Sequence, residues 1–377
     1  MTELLSVDEG RSRYVVEVRA GATAPAEIAP ELDALVRACG APVTASSAWT
    51  ASRLAHAPGL PWLVAVRDPN GRLDACAVLL DSPAPDGSGC GGTTALAFGG
   101  DGHWVQLPAR DASAGAALAT ALAGQLRRRG LDVMLGPLLP DVTVHALADA
   151  LHPDLTLHLC DPVPAIRVTP GGRAEEYLPS GVRRTLRKSR NRLTADGVTS
   201  RITVTADPGR IARRLPELAA AYRERDEQHG ITSQLLDPVG YGCWSGRLLA
   251  LAAAGTLELA TLDVGEALVA YLVGLPDRDA YRILEGRFVS AWARYAPGRL
   301  LEEAVLQRVL DDGRLTCLDW MTAVAPEALP AMNDATPVVV ATMPGSRPGP
   351  GSIAGAGPGR AAVPRQLGRG EAPSPLP

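Results

Sequence analysis

The chain has 377 residues, 46% hydrophobic and 21% charged, which allows two domains with real cores. Its formal net charge of −4 excludes nucleic-acid binding driven by overall charge. Basic residues are almost all arginine, Lys188 being the one lysine, and beside abundant Ala, Gly and Pro this reads as coding bias without functional content.

A first domain is expected over 12–170. Tyr14–Val18 reads as a strand. Glu27–Ala38 reads as a helix, with Leu32, Leu35 and Val36 at helical spacing. Trp62–Val66 and Ala75–Leu80 read as strands joined through Asp68–Gly71, which has hairpin-turn chemistry. Asp81–Gly92 is a loop by composition. Ser113–Arg129 is predicted as a helix with Ser113 as its N-cap and Gly130 as its stop. A short strand at Val133–Leu135, a helix at Val142–Leu151 and a strand at Ala165–Val168 follow.

A second domain is expected over 171–342. Ser180–Ala195 is predicted as a basic helix and Ile202–Thr205 as a strand. Asp207–Gln228 is predicted as a helix that Pro216 splits or kinks. Pro238–Ala254 is another helix. Strands Leu257–Leu262, Ala267–Leu275 and Ala280–Glu285 form a meander, turned at Gly265 and at Pro276–Asp279. A helix over Pro297–Asp312 and a strand over Thr316–Trp320 follow. Residues 343–377, rich in Gly, Pro, Ser and Arg, are expected to be a disordered tail. The fold class is therefore α/β (α+β), two domains each with a mixed sheet flanked by helices.

The six cysteines lie at 39, 76, 90, 160, 243 and 317, with no CxxC pair and no Cys/His spacing for zinc. Reduced thiols in a cytoplasmic protein are expected, with no metal. The amino-terminal residues lack the pattern of a signal peptide, and apolar runs are broken, for example at Glu258 and Glu266, so no membrane span is expected.

Two features stand out chemically. In SGVRRTLRKSRNRL at 180–193, six of the ten residues from Arg183 to Arg192 are basic, while Val182, Leu186 and Leu193 share a side. Two readings are open: a face that binds phosphates, or a solvated face whose arginine stems cover apolar surface. In APGRLLEEAVLQRVL, Pro297 suits a first helical turn and Gly298 removes side-chain bulk. The free N–H groups of such a turn can receive a pyrophosphate; an ordinary Pro-initiated helix is the other reading.

The order of basic helix, strand, helices, meander, Pro-Gly helix and strand resembles the GNAT superfamily, in particular its CelD-like, cellulose-biosynthesis branch. The segments YLPSGVRRTLRKSRNRLTADG, ALVAYLVGLPDRDAYRILEG and YAPGRLLEEAVLQRVLDDGRLTCLDW carry the resemblance. It implies tandem GNAT-like domains and N-acyl transfer from acyl-CoA, as acetyl-CoA, to a small-molecule, amino-sugar or amino-acid amine. It also implies donor contacts at Ala296, Pro297, Gly298, Arg299 and Leu300, with Arg187 and Lys188 on the basic helix. The superfamily's glycine-rich pyrophosphate loop is absent. A second resemblance, through LRKSRNRLTADGV, is to Fem-type transferases, which take aminoacyl-tRNA as donor. A silent GNAT-fold binding module is a third reading.

Acyl transfer to an amine needs a base, a donor to the oxyanion and an acid for the leaving thiolate. Glu285, at the end of the third meander strand, is the candidate base; the alternative is an edge Glu paired with Arg282 or Arg287. Strand alternation puts Tyr281 and Ile283 on its face, so Tyr281 is a second candidate. Asp319 in CLDW either orients the amine or fixes a loop. Tyr222, Arg225 and His229 recur at i, i+3, i+7 on one helix side. Tyr222 and Arg225 are the candidate acceptor contacts. His229 is either a base or a helix cap before Gly230.

Overall fold

A computed structural model describes residues 2–5, 14–55, 59–82, 92–95, 103–321 and 332–345. The first half of the chain contains β1 (Thr2–Leu5), β2 (Val15–Ala20), α1 (Ala24–Glu27), α2 (Ala29–Cys39), α3 (Ser47–Leu54), β3 (Leu60–Arg67), β4 (Leu73–Ser82) and β5 (Gly92–Ala95). It continues with α4 (Ala112–Arg129), β6 (Asp132–Leu138), α5 (Val142–Ala150) and β7 (Thr156–Leu159). The second half opens with β8 (Val163–Arg167), α6 (Ala174–Tyr177), α7 (Ser180–Ala195), β9 (Ser200–Thr205), α8 (Pro208–Gln228) and α9 (Pro238–Ala253). The meander β10 (Glu258–Val264), β11 (Ala267–Asp277) and β12 (Ala280–Phe288) leads to α10 (Pro297–Asp312), β13 (Cys317–Asp319), β14 (Asp334–Thr336) and β15 (Val339–Met343).

The strands form two mixed sheets, ordered β1-β2-β3-β4-β5-β6-β15-β7 and β14-β8-β13-β12-β11-β10-β9. Both share one plan. An antiparallel meander ends in a strand that pairs in parallel with the strand after the next helix: β5 with β6 across α4, and β12 with β13 across α10. A parallel pair requires such a crossover. Sheet membership does not follow chain order. β8, inside the range 12–170, pairs with β13 and β14, while β15, near the end of 171–342, pairs with β6 and β7.

Helices cover both faces of the second sheet. α7 and α10 pack on one side through Leu186, Leu193, Leu301, Val305 and Val309. α8 and α9 pack on the other through Leu215, Leu218, Trp244 and Leu248. That second core also includes Val43 and Trp49 from the first half, so the two halves share apolar burial. Asp277 reinforces the junction by accepting the Val43 N–H at 2.9 Å.

Three local expectations are corrected. Asp111, not Ser113, caps α4, its carboxylate accepting the Ala114 N–H at 2.8 Å. α8 is not split at Pro216, which is exposed, so the carbonyl that loses its helical donor lies on the solvent side. At the start of the expected tail, Met343 ends β15 and the Gly345 N–H reaches Asp132 at 2.6 Å. Residues 346–377 lie outside the described residues.

Candidate active site

β12 carries an irregularity that decides where Glu285 points. Val273 pairs with Glu285, but the next residue, Gly274, pairs with Ile283, leaving Leu284 as an extra residue. Regular alternation would put Tyr281, Ile283 and Glu285 on one face. The bulge breaks that alternation. Tyr281 and Ile283 face the core with α7 and α10, whereas Leu284 and Glu285 turn towards α8 and α9. The expected shared face of Tyr281 and Glu285 is therefore corrected. Tyr281 is fully buried, and its ring lies where a side chain on Gly274 would stand.

Glu285 is half-buried and held by two donors. The Trp244 indole N–H lies 3.1 Å from both carboxylate oxygens, and the Tyr271 hydroxyl donates to one at 3.1 Å. Tyr222 and Tyr241 extend the aromatic wall, their rings 6.1 and 6.0 Å from Trp244. Arg287 stacks over Tyr222 at 4.5 Å. Burial opposes the charge of Arg287, but Glu285, Tyr271, Tyr222 and Asp226 together outweigh it and the guanidinium is held more firmly charged than usual. Burial, then Glu285, pushes the Tyr271 phenol well up, which keeps it a donor. Burial and Arg287 lower the affinity of Arg225 for its proton. Arg247, one turn beyond Trp244, is pushed down to about 10 by burial and by Arg53 of the first half, against the pull of Glu285.

The structure thus brings Tyr222 towards Glu285 beside Trp244, with Arg225 reaching the site only through the field of Arg287. His229 is not among them: it is exposed at the end of α8, its N–H bonded to the Asp226 carbonyl, in the capping position before Gly230. Asp319 is buried and ion-paired with Arg282 at 2.7 Å, and it accepts the Met321 N–H at 2.6 Å. Of its two readings, loop fixing is the geometry present. Arg282 also pairs with Asp277 at 2.6 Å and stacks over Trp104 at 4.8 Å, so its partners are structural carboxylates and not Glu285.

The first turn of α10 offers less than expected. Ala296 is in the left-handed region at φ 46°, and its carbonyl accepts both the Arg299 and the Leu300 N–H. Pro297 has no N–H, so Gly298 supplies the one first-turn N–H without a backbone acceptor among the described residues. Leu300 is buried in the core, and Arg299 pairs with Glu302 at 2.8 Å. Arg187 and Lys188 are exposed on α7, and no described contact joins them to that turn. Arg187 instead lines a separate groove of about 570 Å³ with Ser180, Arg183, Arg184 and Arg190. α7 is fixed by an Arg190–Glu303 ion pair and by Arg192 donating to the Arg294 carbonyl at 2.7 Å.

The residues missed from sequence are Tyr241, Trp244, Arg247 and Tyr271. Tyr241, Trp244 and Arg247 stand at i, i+3, i+6 on a helix that is legible in the sequence, a spacing that marks one face.

Residues 180–327 match the family described as "Acetyltransferase (GNAT) domain". A domain of GNAT acetyltransferase type therefore occupies the second half of this mixed α/β chain. The fold is similar to a conserved protein of unknown function from Bacteroides thetaiotaomicron, at TM-score 0.56 and 11% identity, over 83% of this chain and 97% of that one. It is similar to the structure of FemX at TM-score 0.56 and 11% identity, over 79% and 88%. It is also similar to a C-terminal domain (DUF2156) assigned to a lysylphosphatidylglycerol synthetase from Agrobacterium fabrum, at TM-score 0.52 and 13% identity, over 84% and 92%. No curated protein sequence matches the chain. Among the described residues no helix is long and apolar enough to cross a membrane.

Proposed function

We propose that the second half transfers an acyl group from acyl-CoA, as acetyl-CoA, to the amine of a small-molecule, amino-sugar or amino-acid acceptor, with Glu285 as general base. The observation that carries this reading is the Glu285 carboxylate, set by a β-bulge against the aromatic side chains of Trp244 and Tyr271 in a GNAT-type domain. Trp244 and Tyr271 supply two hydrogens to its roughly four acceptor positions, leaving capacity for an N–H from substrate. The carboxylate takes a proton from the bound ammonium. The freed amine attacks the thioester carbonyl, the C–S bond breaks, and the thiolate leaves to be protonated. Tyr222 and Arg225 line the acceptor side, and the Gly298 N–H is the donor's candidate backbone contact. Three sequence segments support the CelD-like branch. The reduced thiols of Cys39, Cys76, Cys160 and Cys317 support a cytoplasmic location.

A second reading, aminoacyl-tRNA as donor, is supported by α7. Arg184, Arg187 and Lys188 are exposed, and no described carboxylate pairs with them. A phosphate backbone bound there would dissociate steeply with salt.

The test is turnover and thermal shift with a panel of acyl-CoAs and charged tRNA. Saturable stabilisation by acyl-CoA, with turnover lost on the order of 100-fold or more in Glu285→Gln, is expected. Unchanged turnover in Glu285→Gln removes the base. Salt-sensitive tRNA binding without acyl-CoA binding selects the second reading, and binding of neither leaves a silent module.

A further inference from the structure

The bulge that aims Glu285 is held from the other half of the chain. β13 pairs with β12 only over Ala280–Arg282, so β12 continues from Ile283 to Phe288 beyond its parallel partner. There the Leu284 carbonyl, on the extra residue of the bulge, meets His103 Nε2 at 3.0 Å. His103 is 3% exposed and packs edge-on against Trp49, with ring centroids 5.7 Å apart. Its neighbour Trp104 is pinned by donating its N–H to the Met321 carbonyl at 3.2 Å.

The direction of the His103 bond is fixed by its partner. A carbonyl only accepts, so Nε2 carries the hydrogen. Burial pushes the imidazole down to about 4, with Arg53 adding to the shift and Leu284 and Glu285 opposing it. The ring is therefore neutral near pH 7. Its Nδ1 is a bare acceptor without a hydrogen-bond partner among the described residues. The contact to Leu284 is thus the single hydrogen bond that this side chain makes among them.

We propose that His103 is a positioning residue for Glu285: by holding the Leu284 carbonyl, it keeps the bulge in the conformation that presents the carboxylate to Trp244 and Tyr271. Without that donor the buried Leu284 carbonyl loses its partner, and turning the adjoining peptide to recover one carries Glu285 with it. The first half then has a direct part in shaping the site. This deepens the role proposed for Glu285, but the contact can be tested without any assay of turnover.

The probe is the Trp244 indole N–H in a ¹H–¹⁵N spectrum, assigned by its loss in Trp244→Phe. Its resonance is expected to move in His103→Leu and to return towards the wild-type position in His103→Gln, which keeps an N–H donor. An unmoved indole in folded His103→Leu overturns the proposal. Where His103→Leu does not fold, the wild-type ring decides: imidazole ¹⁵N shifts must show a neutral Nε2–H tautomer at pH 7, and an Nδ1–H tautomer or a charged ring overturns it. In turnover, His103→Leu should lower kcat about 10- to 100-fold with little change in donor KM, and His103→Gln should restore most of it. A moved indole with unchanged kcat supports the positioning contact and counts separately against Glu285 as base.

Discussion

The Trp244 indole N–H sits 3.1 Å from each oxygen of Glu285, so one aromatic residue of α9 holds the carboxylate of β12 from the front. The bond crosses between two elements 41 residues apart in the chain. Trp244→Phe keeps the ring contacts with Tyr222 and Tyr241 but removes the donor. Stability should fall by about 1 kcal/mol, because Tyr271 still serves the carboxylate. Turnover should fall on the order of tenfold as Glu285 loses its orientation. Urea titration and steady-state kinetics on the same variant check both. A larger loss of stability than of activity would count against a positioning role for Trp244.

Gly274 is required by Tyr281. A Cβ there would stand 2.2 Å from the phenol oxygen and 2.1 Å from Cε1 of a fully buried ring. Gly274→Ala should destabilise the protein by about 3 kcal/mol, at the upper end of overpacking costs. A combined Gly274→Ala and Tyr281→Phe variant removes only the hydroxyl clash and should recover part of the loss. Equal unfolding midpoints for Gly274→Ala and wild type would refute the packing argument.

Arg282 neutralises two buried carboxylates, Asp277 and Asp319. Arg282→Met leaves both without that charge and should cost about 3–5 kcal/mol. Asp319 is already pushed up by burial, with Arg282 pulling it down, so the variant should bind a proton more readily there. Its stability should consequently recover towards acid pH relative to wild type. A parallel pH dependence for the two proteins would contradict the pairing.

His103 makes a pH prediction of its own. In the unfolded chain the imidazole titrates near 6.5, whereas in the fold burial pushes it down to about 4. Between those values the unfolded chain binds the proton and the folded protein does not. The neutral ring's contribution is fully present above about 6.5 and is lost as pH falls through that window, a difference of roughly 3 kcal/mol in total. Urea midpoints measured from pH 7 to pH 4 should therefore fall less steeply for His103→Gln than for wild type. Identical acid slopes would show that the ring is not buried neutral.

Local pattern alone was enough to set α7 at Ser180–Ala195 and α10 at Pro297–Asp312, because apolar period and, for α10, Pro297 at the first turn are signals carried within the helix itself. The meander and its turn at Gly265 were legible for the same reason. The sequence also singled out Glu285 and placed Tyr222 and Arg225 on one helical face. It put Tyr281 beside Glu285, because alternation in an isolated strand has no way to register an extra residue; only pairing of β12 against Gly274 of β11 creates the bulge. Nothing local joins His103 to Leu284, or Val43 to Asp277, since these contacts span 181 and 234 residues. Which sheet β8 and β15 enter was likewise decided by partners distant in sequence. Local propensity chose the elements, and long-range register and burial chose which side chains meet around Glu285.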